Sequence, residues 1–199
     1  MEAMQKIKCL TIEDSNFPDR LRKLSGMPKK LYYIGNLPDP KKPAAAVVGA
    51  RMCSPYGRCQ AFKYARTMAS YGVQIISGMA RGIDAEGHKG ALDTDTPTFA
   101  VLGSGVDVCY PNSNRWLYQR ILEKGGGIIS ELPPGSPPVN WAFPARNRII
   151  SGLSDAVLVV EAKEQSGSLI TANFALEHGH SVYAVSYTHL RAHETPEHL

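Results

Sequence analysis

A chain of 199 residues, 43% hydrophobic and 20% charged, has the apolar material for one sizeable core and is too short for much beyond one α/β domain with extensions. Its formal net charge of +4 suits nucleic-acid or phosphate ligands and equally suits an ordinary solvated surface. The absence of a signal-peptide h-region in residues 1–10, of any apolar run near the ~18–20 residues of a membrane span, and of any C-x-x-C pair among Cys9, Cys53, Cys59 and Cys109 points to a reduced, cytoplasmic protein.

Residues 1–43 are short of core material and rich in turn formers and basic residues. Asn16 to Arg22 opens a short helix with Leu21 and Leu24 on one face, and Leu31 to Ile34 followed by Gly35-Asn36 reads as a strand and a turn. Pro38, Pro40 and Pro43 make a stiff lead-in. The region is expected to be a strap on the main domain. From Ala44 apolar runs recur at 44–48, 73–77, 98–102, 127–130, 156–160 and 181–185. Each is short and nearly continuous, as strands buried on both faces are.

Helical stretches separate these runs. The first starts at Ser54-Pro55, an N-cap followed by Pro at N1, and places Cys59, Phe62, Ala65, Arg66 and Ala69 on one face before Gly72 ends it. The others cover about 83–92, the stretch between Tyr110-Pro111-Asn112 and Gly125-Gly126, 145–153 and 169–177. The fold class is therefore α/β, with a doubly wound, mostly parallel six-stranded sheet over residues 44–185. In the common strand order 3-2-1-4-5-6, the ligand crevice lies between the loops after the first and fourth strands, Gly49 to Ser54 and Glu131 to Phe143.

The first turn, Gly49-Ala50-Arg51-Met52-Cys53-Ser54, lacks the G-x-G-x-x-G of a dinucleotide site, and no G-x-x-x-x-G-K-[ST] occurs. What remains is a set of small-residue loops with interspersed arginines, suited to a phosphodiester or a nucleotide phosphate. Arg51 sits at a helix start and reads as a phosphate contact or a structural ion pair. Asp84 and His88, four apart with Lys89 beside them, read mainly as a local helix pair, with a catalytic acid–base pair as the lesser alternative. In PPVNWAFPARNRII, Trp141 and Phe143 precede Arg146 and Arg148. The rings either stack bases or pack the loop, and the arginines either contact phosphate or bind carboxylates such as Glu131. Ser166-Gly167-Ser168 opens the last helix as a second anion nest, to which Thr171 could add a hydroxyl, or as a plain cap needing only Ser168.

VGARMCSPYG (48–57), SGMARGIDAEGHKGAL (77–92), FAVLGSGVDVCYPNSN (99–114), SELPPG (130–135), FPARNRIISGLS (143–154) and VVEAKEQSGSLITA (159–172) resemble, in order and spacing, the DprA/Smf family of DNA-processing proteins. The resemblance implies an extended Rossmann-like fold that binds single-stranded DNA, protects incoming DNA and helps load the RecA recombinase during natural transformation. It implies a homodimer, no catalysis and no cofactor. Carried onto this sequence, the phosphate pocket uses Arg51 and Ser54, then Ser77, Gly78 and Arg81, with Phe143, Arg146 and Arg148 beside them. The loop reading adds Gly49, Ser166, Gly167 and Ser168.

The family's pattern breaks at Ser186, where the composition changes abruptly. The tail 186–199 reads as non-native sequence joined to a gene fragment, and a metal site from its His189 and His193 is the weaker alternative. Two rival functions stand beside DNA binding. One is a nucleoside-phosphate hydrolase of N-glycosidic bonds using Glu131 or Glu161, although its P-G-G-x-G-T loop is absent. The other is a nucleotide-sensing domain.

Overall fold

The computed structural model describes residues 6–162 and 166–185. The expected foreign tail and its histidines lie outside the described residues. Each apolar run forms a strand, and two more strands precede them. In chain order the elements are β1 (Lys8–Thr11), α1 (Asp19–Arg22), β2 (Lys30–Gly35), β3 (Ala44–Val48), α2 (Pro55–Ser70), β4 (Gln74–Ser77), α3 (Ile83–Leu92), β5 (Thr98–Val101), α4 (Arg115–Glu123), β6 (Gly127–Ser130), α5 (Ala142–Leu153), β7 (Ala156–Val159), α6 (Gly167–Glu177) and β8 (Ser181–Ala184).

The strands make one sheet in the order β1-β2-β6-β5-β4-β3-β7-β8. The six strands from β3 to β8 are parallel, and β2 joins β6 antiparallel with β1 outside it. The sheet thus has eight strands where the six apolar runs predict six. The two extra strands come from the segment expected as a strap, which also buries Phe17, Leu21 and Leu31 in the core.

Period-two alternation splits the core into two layers. Ala44, Ala46, Val48, Ile76, Phe99, Val101 and Ile129 face α5 and α6, where Ile149, Ile150, Leu153 and Ala175 meet them. Val47, Ile75, Ala100 and Ile128 face α2, α3 and α4. The buried stripe of α2 is Gly57, Ala61, Ala65 and Ala69, at a spacing of four. Of the face grouped from the sequence, Ala65 and Ala69 are buried, Phe62 is half-buried, and Cys59 and Arg66 are exposed. The cause is close helix packing: a Cβ on Gly90 of α3 would overlap the Phe62 carbonyl oxygen, so only small side chains fit between α2 and α3.

Numbered by the six parallel strands alone, the order is 4-3-2-1-5-6. The switch point therefore lies between β3 and β7, not between β3 and β6 as expected. The reason is that β6 sits at the far side of β5, where it receives β2. α5 then crosses back over β5, β4 and β3 to reach β7. This crossing carries the start of α5, with Phe143 and Arg146, over the switch point. No described helix is long and apolar enough to cross a membrane.

Candidate functional site

A cleft of about 330 Å³ opens beyond the carboxyl ends of β3 and β4, at the small end of the range for ligand sites. Gly49 and Arg51 come from the turn after β3, Phe143 and Arg146 from α5, and Ser166, Gly167 and Ser168 from the start of α6. Seven residues expected from separate motifs thus meet in one place.

Arg51 is exposed at the rim. Its guanidinium lies over the Phe143 ring, 5.3 Å from the centroid, a cation–π arrangement that leaves its N–H groups to a ligand. No carboxylate pairs with it among the described residues. The Phe143 ring is held from behind by Gly103, where a Cβ would come within 2.8 Å of it. Tyr110, 42% exposed, flanks it at 5.4 Å between centroids.

The turn that presents Arg51 rests on the next one. Ile83 donates its backbone N–H to the Ala50 carbonyl at 3.2 Å. Gly82, at φ 77, lets the second turn approach so closely that a Cβ would overlap the carbonyl oxygen of Ala50. Ser54 caps α2, accepting from the Gly57 N–H at 3.0 Å, and donates its hydroxyl to Glu161 Oε2 at 2.9 Å.

Arg146 lies beneath the rim, only 5% exposed. Its Nη1 donates to the carbonyls of Gly78, at 2.6 Å, and Val101, and its Nε donates to Asn147 Oδ1 at 3.1 Å. It therefore ties α5 to the ends of β4 and β5 and forms the cleft floor. Gly78 is glycine because a Cβ there would overlap the Arg146 guanidinium. Asp84 lies 4.0 Å away and lines the cleft, 6% exposed. Burial lowers the Arg146 pKa to about 10, with Asp84 opposing the shift and Arg51 adding to it. Burial raises the Asp84 pKa, opposed first by Arg146. Asn147 Nδ2 donates to the Gly167 carbonyl at 3.0 Å, linking the floor to the start of α6.

The remaining expected residues lie off the cleft surface. Ser77 is fully buried and donates to the Val47 carbonyl at 2.6 Å, fastening β4 to β3. Gly78 packs under Arg146. Arg81 is exposed just before α3. Arg148, two residues from Arg146 and so on another face of α5, makes a bidentate pair with Glu131 at 2.7 and 2.6 Å and donates to the Gly26 carbonyl at 2.8 Å. Asp84 and His88 do not pair. His88 is wholly buried and contacts Thr98 Oγ1 at 2.7 Å, and Lys89 pairs with Glu86. Thr98 donates its own proton to the Ile75 carbonyl at 2.7 Å, so the imidazole Nδ1 carries the hydrogen. Burial lowers the His88 pKa to about 3, which keeps the ring neutral.

Sequence reasoning missed Asp84, Asn140 and Asn147 as cleft residues, and Thr171, read as a hydroxyl that could join the Ser166–Ser168 turn, does line the cleft. Asn147 was legible as the one neutral polar residue between two arginines. Asp84 had no local signal, because its partner is 62 positions away. Among the described residues no group of three His, Cys, Asp or Glu side chains could hold a metal ion.

A family model described as DNA recombination-mediator protein A matches residues 8–196. The chain belongs to the DprA/Smf family. It is 45% identical over 173 residues to Protein Smf of Escherichia coli K12, covering 86% of this chain and 46% of that relative. The X-ray structure of DprA from Streptococcus pneumoniae matches with a TM-score of 0.86 at 41% identity, over 94% of this chain and 65% of that one. DNA processing protein A of Helicobacter pylori, a structure described for its single-stranded DNA binding mode, matches with a TM-score of 0.81 at 30% identity, over 94% of this chain and 83% of that one. The chain thus spans about half the length of the E. coli family member.

Proposed function

We propose that this chain is the single-stranded DNA binding domain of a recombination mediator and that it works by binding, without catalysis or a cofactor. The observation that carries the reading is the rim: an exposed arginine with no ion-pair partner among the described residues, laid over an aromatic ring, at the mouth of a cleft built from small-residue turns. The guanidinium suits a phosphodiester, and the Phe143 and Tyr110 rings suit an unstacked base. A duplex, whose bases are already stacked, has no use for the rings. Arg51, Phe143 and the Ser166–Ser168 turn would contact the strand directly. Arg146, Gly78, Ser77 and Ser54 would shape the site from beneath, and Arg81 would meet the strand beyond the cleft.

The two carboxylates that an N-glycosidic hydrolase would use are otherwise engaged. Glu131 grips Arg148, and Glu161 grips the start of α2. This favours binding over hydrolysis. Protection of incoming DNA, RecA loading, a homodimer and a cytoplasmic setting are proposed for the whole protein on the family resemblance.

Fluorescence anisotropy of labelled oligo-dT and of a matched duplex, over a salt series, tests the reading. The single strand should bind more tightly than the duplex, with an affinity that falls steeply with salt. Equal affinity for both forms, or none for either by the folded chain, would contradict it.

A further inference from the structure

Helix α2 opens at the position where nucleotide-binding relatives of this architecture hold a ligand phosphate. Here a side chain of the protein fills that position. The Glu161 carboxylate, at the end of the neighbouring β7, accepts the Ser54 N–H at 3.0 Å and the Ser54 hydroxyl at 2.9 Å. Gly57, one turn into α2, is glycine where a Cβ would overlap Glu161 Oε2. The main chain of the same residue holds the other end of the turn: the Ala50 N–H donates to the Glu161 carbonyl at 2.7 Å. One residue thus grips the turn on both sides of Arg51, at Ala50 and at Ser54. Glu161 does not line the cleft; it stands behind the turn.

We infer that Glu161 is a positioning residue for single-stranded DNA binding: its carboxylate takes the place of a ligand phosphate at α2 and so fixes the turn that holds Arg51 over Phe143. The inference rests on the DNA-binding reading of the same cleft. It has a consequence for specificity. A nucleotide cannot seat its phosphate at α2 while Glu161 is there, so a strand must be held at the rim, by Arg51, and not buried at the first turn. The internal carboxylate also favours the α2 start through the helix dipole without recruiting a ligand.

Simple electrostatics makes the opposite prediction, and this gives the test its force. Removing a carboxylate near a phosphate site should tighten DNA binding. If Glu161 holds the turn, Glu161→Ala weakens oligo-dT binding roughly five-fold or more, the scale of a lost helix cap. Glu161→Gln keeps an acceptor for the Ser54 N–H while removing the charge, and binds as tightly as the unmodified chain or more tightly. Sodium formate, which can enter the space left in Glu161→Ala, restores binding relative to sodium chloride at equal ionic strength. It has no such effect on the unmodified chain.

Inorganic phosphate should raise the melting temperature of Glu161→Ala and leave the unmodified chain unmoved. If the alanine variant does not fold, Glu161→Met, similar in length and without the carboxylate, replaces it. A folded alanine or methionine variant that binds oligo-dT as well as the unmodified chain overturns the inference. Failure of the unmodified chain to bind oligo-dT instead overturns the DNA reading. The phosphate melting experiment then still decides whether Glu161 fills an anion position, with an unmoved alanine variant counting against it.

Discussion

At the rim of the cleft, Arg51 is exposed over Phe143, with no carboxylate within ion-pair distance among the described residues. At the floor, Arg146 is buried, bonded to two strand-end carbonyls and faced by Asp84. The two arginines line the same cleft, and their surroundings divide the work between them. An arginine whose donors are spent on backbone carbonyls holds strands in place. One laid on a ring with its donors turned outward can take a phosphate. The difference teaches that, in a cleft built from turns, a cation's role follows from its neighbours more than from its type.

The contrast is broken most severely at the floor. Arg146→Met should destabilise the chain by roughly 3–5 kcal/mol, because it leaves Asp84 buried without its cation and two carbonyls without donors. Urea unfolding followed by circular dichroism measures it. A loss below about 1 kcal/mol would place Arg146 with the rim residues.

On the α3 face of the sheet, His88 makes stability depend on pH. Its folded pKa of about 3 lies below the ordinary value of 6.5, so between these values the unfolded chain binds a proton that the folded chain refuses. Its contribution is therefore full above 6.5 and is lost as pH falls toward 3, by up to about 1.4 kcal/mol per pH unit. His88→Gln should flatten that dependence in unfolding experiments run across the range. An unchanged slope would show that other groups carry it.

At the rim, Phe143→Leu keeps apolar bulk and removes the ring face. Oligo-dT affinity should fall by about 1 kcal/mol or somewhat more, while thermal stability falls by less than that. The reverse pattern, a stability loss with binding intact, would make Phe143 a packing residue.

The apolar runs were enough to find the six parallel strands: β3, β4, β5 and β6 are buried along their whole length and read as continuous, while β7 and β8 read the same way although they are partly exposed. They could not say which edge each strand joins, and the switch point moved from β6 to β7 for that reason. β1 left no mark because it is an edge strand, exposed or half-buried along its length. The stripe on α2 was misread because periodicity favours large apolar residues, whereas the approach of Gly90 admits only small ones.

At the site, the turns were legible from their small residues and arginines. Ser77 drew notice as a phosphate-loop hydroxyl and instead fastens strands, whereas the reading of Ser54 as the cap of α2 holds. Arg148 was open to both readings in the sequence. Its spacing of two from Arg146 turns it to another face of the helix, where Glu131 takes it.

The most direct measurement is the salt dependence of oligo-dT affinity for Arg51→Ala and Arg148→Ala side by side. Arg51→Ala should bind more weakly, with the log–log salt slope reduced by about 0.7 for one lost phosphate contact to a single strand. Arg148→Ala should keep the slope of the unmodified chain. A slope unchanged in Arg51→Ala and reduced in Arg148→Ala would contradict the account.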